Sequence, residues 1–126
     1  MIRVAKDQFP QIDFRLADLV SDPAATHPAD LVVLNQVVCC TPDGPALVAS
    51  AAGLARHALA FTYPRPRMLF RVFAKAQNLI FRALGKRFRV FVHPRATLVG
   101  AAEARGLRLV LDRPGTIWST AGFERV

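Results

Sequence analysis

Asn35 and Gln36 are the first side chains placed where chemistry is expected. They interrupt the stretch Ala29-Asp-Leu-Val-Val-Leu-Asn-Gln-Val-Val-Cys-Cys-Thr-Pro-Asp43, in which Leu31 to Leu34 is apolar at every position and half β-branched. That pattern predicts a strand buried on both faces. The carboxyl end of a buried strand in an open parallel sheet is where ligands sit, so two amide side chains there mark a candidate site. The adjacent cysteines Cys39 and Cys40 can neither staple distant segments nor supply a tetrahedral metal site by themselves. They read as free, mostly buried thiols of a reducing compartment. His27, His57 and His93 fall far apart on different predicted elements, so no metal-ligand spacing exists.

The elements that would position these residues follow from periodicity. Ile2 to Gln8 reads as the end of a helix, with Pro10 forcing an exit. Ile12, Phe14 and Leu16 alternate with Asp13, Arg15 and Ala17, which predicts a short strand with one buried face, closed by Asp18. Ser21 to Pro28 is a loop or at most one helical turn. After Thr41-Pro-Asp-Gly44, the alanine-rich segment Pro45 to His57 has apolar residues at helical spacing, and Ala58 to Tyr63 is a further short buried strand halted by Pro64 and Pro66. Strand, helix and strand together make a right-handed βαβ unit.

Arg67 to Lys86 is the longest predicted element. Arg67, Arg71, Lys75, Asn78, Arg82 and Lys86 gather into one polar stripe at 100° per residue, and nearly all the rest is apolar. So wide an apolar surface exceeds what one sheet face requires. The helix is read as packed on the core with its cations in solvent, as a lid over a greasy substrate, or as a contact with a membrane surface. Arg87 to His93 alternates as a strand or extended arm. Pro94 then opens a helix that Gly106 stops, and Leu107 to Asp112 and Thr116 to Glu124 flank Arg113-Pro-Gly115 as an antiparallel hairpin.

Length and composition set the outer bounds. The chain has 126 residues, 52% of them hydrophobic, with 21% charged. That is one domain with a real core. No apolar run approaches the roughly 20 residues needed to span a bilayer, and the first residues lack the apolar core of a signal peptide, so a cytoplasmic location is expected. The net charge of +8 is lopsided: residues 1–60 carry four basic and six acidic side chains, residues 61–126 thirteen and three. A positive field of this kind suits an anionic ligand, an anionic membrane or nucleic acid.

Taken in order, these elements, together with Ala29 to Asp43, Thr62-Tyr-Pro-Arg65 and Phe88-Arg-Val-Phe-Val-His-Pro94, resemble the second half of a class I S-adenosylmethionine (SAM)-dependent methyltransferase. The passages are similar to a group of small bacterial enzymes distantly akin to the O-methyltransferases acting on magnesium protoporphyrin. The resemblance implies an α/β fold, a partial Rossmann-like domain with a mixed sheet, a C-terminal antiparallel hairpin and the first two strands missing. It implies that Asp18, with Leu19, accepts a hydrogen bond from the cofactor's adenine amino group, apt because that amine is a donor. It places Asn35, with Gln36 beside it, against the methionine moiety and the acceptor. Tyr63, Pro64 and Arg65 fall on the substrate side, where Arg65 or Arg67 would meet a carboxylate and Phe70 belongs to the apolar helix face that covers the acceptor. His93 is the imidazole on that side and the candidate general base, with Tyr63 the second candidate for a catalytic role. No base is obligatory, because orientation can supply most of the rate of a direct displacement at a sulfonium.

The sequence departs from that family in having no Gly-x-Gly anywhere and no acidic residue ending a second strand. The expectation is therefore a methyltransferase fragment with a partial SAM site, weak or inactive alone, acting on a fairly apolar small molecule. Its unpaired strand edge would favour oligomers. The alternative is a non-enzymatic basic module on an anionic membrane surface or nucleic acid; the latter is the poorer match, because aromatic residues do not interleave with the basic ones on a sheet face.

Overall fold

The structure is a computed structural model that describes residues 2–64, 68–86 and 90–126, with backbone alone for 68–70. The strands are β1 (Ala29–Leu34), β2 (Ala55–Pro64), β3 (Leu107–Arg113) and β4 (Trp118–Arg125), and the helices α1 (Ile2–Gln8), α2 (Gly44–Leu54), α3 (Met68–Ala83) and α4 (Arg95–Glu103). The sheet runs β1-β2-β4-β3. β1 and β2 are parallel, while β4 is antiparallel to both β2 and β3. The βαβ unit and the terminal hairpin follow the periodicity of the sequence, and the mixed sheet is the one the resemblance implies.

α2 starts where Asp43 accepts from the Ala46 N–H at 3.1 Å, with Pro45 in the first turn, an arrangement that satisfies a donor the helix itself cannot. It ends earlier than its alanine content suggests. Ala55 already belongs to β2, and the carbonyls of Ala52 and Ala55 accept from Arg125 Nη2 at 2.6 and 2.5 Å. Arg125 Nη1 reaches the Arg105 carbonyl as well. One guanidinium thus closes the end of α2, the start of β2 and the turn after α4. In that turn Gly106 takes the left-handed φ of +82° that favours glycine.

α2 and α4 pack against each other and on the sheet. Val48 and Ala51 from α2 and Leu98 and Ala102 from α4 meet Leu59 and Phe61 of β2 and Phe123 of β4, all essentially inaccessible. Phe61 and Phe123 stack with centroids 5.5 Å apart. Burying each such side chain contributes about 1.5–3 kcal/mol, and the aromatic contact somewhat more.

Two expectations fail. Ile12 to Ala17 is not a strand: residues 9–28 run as turns and irregular chain, with Leu16 90% exposed. Alternation supplies a face but not a neighbour, and β1 pairs only with β2, so nothing in the described residues satisfies the backbone of 12–17 as a ladder would. β1 itself is not buried on both faces. Leu34 is buried and Val32 packs against the core, while Leu31 and Val33 are each 58% exposed. No layer among the described residues covers their side, and β1 forms one edge of the sheet. On α3, for which the sequence leaves a core-packed, a lid and a membrane-facing role open, Phe73 is 65% exposed.

Candidate functional site at the carboxyl end of the parallel strands

A cavity of about 660 Å³ opens at the carboxyl ends of β1 and β2. Its walls come from distant segments: Gln36, Cys39 and Cys40 after β1, Pro64 at the end of β2, Phe73, Ala74 and Gln77 of α3, Val90 and Val92, and Ile117 and Trp118 at the start of β4. β4 runs antiparallel to β2, and its first residue, Trp118, pairs with Pro64, so the indole sits at the same end of the sheet as Gln36. The lining is overwhelmingly apolar, with the amides of Gln36 and Gln77 as its main polar groups.

Local structure explains how Gln36 is held there. Its φ of +56° lies in the left-handed region, costing a non-glycine residue roughly 1–2 kcal/mol. Its N–H donates to Thr62 Oγ1 at 2.8 Å, and that hydroxyl donates to Asn35 Oδ1 at 3.3 Å, so β2 fixes the strained turn from the side. The Val38–Cys40 single 3₁₀ turn follows, and the Phe91 N–H donates to the Cys39 carbonyl at 2.8 Å, tying it to the extended segment 90–93. Burial, and secondarily the Cys40 thiol 3.8 Å away, pushes the Cys39 thiol up to about 11. It is a neutral wall of the cavity at ordinary pH.

The residues singled out from sequence distribute unevenly. Gln36 and Pro64 line the cavity, and Asn35 adjoins it through Thr62. Asp18 is exposed, and its carboxylate is engaged in its own turn, accepting from Ser21 Oγ at 2.7 Å and from the N–H groups of Val20 and Ser21. Those bonds, the Ser21 hydroxyl first, hold it below the usual carboxylate range. Leu19 borders a different, more polar hollow with Asp13, Arg15 and His27. Tyr63 is buried in the core, near Arg95, whose guanidinium is held above its ordinary value chiefly by its hydrogen bond to Asp112, with Tyr63 adding to it. His93 does not line the cavity. Its Nε2 lies 3.0 Å from the Thr41 carbonyl, which can only accept, so Nε2 carries the proton. Its ring covers Gly44 so closely that a Cβ there would meet Cδ2 at 2.6 Å. Arg65 and Arg67 lie outside the described residues, as does the side chain of Phe70.

Sequence reasoning missed most of the wall. Cys39 and Cys40 were legible only as thiols, and Phe73, Val90, Val92 and Trp118 only as core-forming residues. The signal for Trp118 is its position as the sole tryptophan beside a hairpin turn, which is no signal for a cavity.

This architecture, a parallel pair extended by an antiparallel hairpin with an apolar cavity at the carboxyl end, is the fold of the SAM-dependent methyltransferases. The backbone is similar over all of its length to the magnesium protoporphyrin IX methyltransferase of Synechocystis with bound SAH, at a TM-score of 0.75 and 16% identity. It is also similar to an O-methyltransferase family 2 protein from Planctomyces limnophilus in complex with apigenin (TM-score 0.68, 18% identity, 98% of this chain and 39% of that one). A third likeness is to a TehB-like SAM-dependent methyltransferase from Corynebacterium glutamicum (TM-score 0.65, 17% identity, 99% and 62%). The chain spans 60% of the length of the Synechocystis enzyme. No protein-family model and no curated protein matches the sequence.

Proposed function

We propose that this chain forms the acceptor side of a SAM-dependent methyltransferase and that the cavity between Gln36 and Trp118 holds a fairly apolar small molecule. The observation that carries this reading is the position of the cavity: ligands of open α/β sheets bind outside the carboxyl ends of parallel strands, where Gln36 presents an amide beside an otherwise apolar wall. The fold shared with solved methyltransferases, several with SAM or SAH bound, supports it.

The residues present fit one part of such a cofactor. The amides of Asn35 and Gln36 suit its polar, methyl-bearing end. No Gly-x-Gly occurs in the sequence, so the close backbone approach that a glycine-rich loop gives to the cofactor's amino-acid portion has no counterpart in it. The Asp18 carboxylate is of the right chemistry for an adenine amine, and Oδ2, which accepts only from Ser21 Oγ, has acceptor capacity left for it. SAM is a partial-site ligand in this reading. Bound, it supplies an electrophilic methyl group for direct displacement by an oxygen, nitrogen or carbon nucleophile.

The chain's own contribution is orientation. Phe73 and Trp118 offer aromatic faces to a flat acceptor, Val90 and Val92 exclude water, and Gln36 holds the polar edge where the methyl must arrive. By the resemblance, Arg65 or Arg67 would meet a carboxylate on the acceptor, and Phe70 would belong to its apolar cover. Tyr63 acts by position, keeping Arg95 and the β2 terminus in place. His93 donates its Nε2 proton to the Thr41 carbonyl, so as the candidate general base it would act through Nδ1.

The sole tryptophan gives a direct test. Titration with flat phenols and aromatic acids should change Trp118 fluorescence saturably, and Trp118→Phe should remove the signal without abolishing the fold. Equilibrium dialysis with labelled SAH should show weak binding, reduced by Gln36→Ala. Absence of both responses at millimolar ligand overturns the proposal.

A further inference from the structure

α3 divides its surface in an unusual way. Ala74, Gln77, Asn78 and Phe81 fall on the face turned to the protein, where Ala74 and Gln77 wall the cavity. The large side chains Val72, Leu79 and Ile80 lie on another face and are 57–68% exposed, and Leu84 just beyond the helix is 65% exposed. At 100° per residue these lie next to the exposed cations Arg71, Lys75 and Arg82. The apolar surface therefore points away from the domain, bordered by positive charge. The neighbourhood has no anion to oppose it in sequence: between Asp43 and Glu103 the chain has no acidic residue at all.

From this placement we infer that the outer face of α3 seats on an anionic bilayer surface, with Val72, Leu79 and Ile80 in the acyl boundary and Arg71, Lys75 and Arg82 at the lipid phosphates. A helix with a strong apolar face, a cationic border and low overall hydrophobicity lies in the plane of the interface rather than across it. Among the described residues no helix is long and apolar enough to cross a membrane. A protein partner burying the same face would have to match both its aliphatic ridge and its uninterrupted positive border; anionic lipid matches both at once. The inner face of the same helix walls the cavity, so seating α3 brings the cavity close to the lipid. The inference concerns the surface alone and does not depend on SAM binding.

The full chain is mixed with vesicles of phosphatidylcholine alone or with roughly one-third phosphatidylglycerol, and bound protein is measured by flotation. Binding should be at least about tenfold tighter to the anionic vesicles and should weaken with salt. Ile80→Glu and Leu79→Glu, both exposed, should each reduce binding about tenfold or more with an unchanged circular dichroism spectrum. The double charge reversal Lys75→Glu with Arg82→Glu should remove the preference for anionic lipid. Equal affinity for neutral vesicles, no flotation with either, or full binding by Ile80→Glu would each overturn the inference. So would light scattering that shows a dimer in solution dissociated by Ile80→Glu, because the face would then be a contact between copies. Should Ile80→Glu and Leu79→Glu not fold, Val72→Glu on the same exposed face decides.

Discussion

The side chain of Asn78 and the backbone of Val90 are joined by two hydrogen bonds, Nδ2 donating to the Val90 carbonyl at 2.7 Å and Oδ1 accepting from its N–H at 2.8 Å. An amide side chain here does what a neighbouring strand would do. It fastens α3 to the extended segment that forms the opposite wall of the cavity. Asn78 occupies the polar stripe of the helix and reads from sequence as a solvated residue; its role depends on a partner twelve residues away.

Removing that clasp should loosen the cavity before it unfolds the domain. Asn78→Leu leaves the Val90 N–H and carbonyl unpaired and should cost about 1–3 kcal/mol in urea denaturation. Limited proteolysis should then cut first near residues 84–92, while Asn78→Gln, one methylene longer, should recover little of the loss.

Gly44→Ala should be more disruptive than an ordinary surface substitution. The new Cβ would lie 2.6 Å from His93 Cδ2, and the ring cannot withdraw without giving up Thr41. A loss of about 1–3 kcal/mol is expected in thermal denaturation. The double variant with His93→Ala should be no less stable than His93→Ala alone, because the steric conflict disappears.

Cys39 and Cys40 should react at different rates despite being neighbours. Cys39 is buried and its thiol raised to about 11, whereas Cys40 is exposed. Alkylation at neutral pH followed by mass spectrometry should label Cys40 first, and Cys39 only in denaturant. The linkage to stability has a definite sign. The folded thiol holds its proton more tightly than the unfolded thiol, whose ordinary value is 9.0, so stability is unaffected below about pH 9 and falls as pH rises toward 11. Cys39→Ala should flatten that part of the profile.

Arg125→Lys should fail to replace arginine. The guanidinium reaches three carbonyls, of Ala52, Ala55 and Arg105, and a single ammonium cannot span them. A loss of about 1–3 kcal/mol is expected from calorimetric melting, little different from that of Arg125→Ala.

Much of the fold was legible because its elements have local signatures. Asp43-Gly-Pro45 announces α2, Gly106 ends the turn after α4, and Arg113-Pro-Gly115 lies in the hairpin connection. The segment 12–17 shows the opposite case: its alternation is real, but a strand also needs a neighbour, and no local pattern supplies one. Leu31 and Val33 misled for a related reason, since an apolar run states what a residue tolerates and not whether a second layer covers it. The site was legible at Gln36, whose break in the apolar run is local, and at Pro64, which halts β2. Trp118, Phe73 and Val92 converge on it from three separate elements, and that convergence exists only after β4 has paired with β2.

The same pairing governs how the domain forms in time. β4 is the last strand in sequence, yet it lies inside the sheet between β2 and β3, with Ala58 opposite Glu124. The β3–β4 hairpin can zip locally within microseconds, but its docking on β2 must close a loop across half the chain. Refolding should therefore show fast gain of hairpin signal and a slower phase in which Trp118 fluorescence and the cavity appear together.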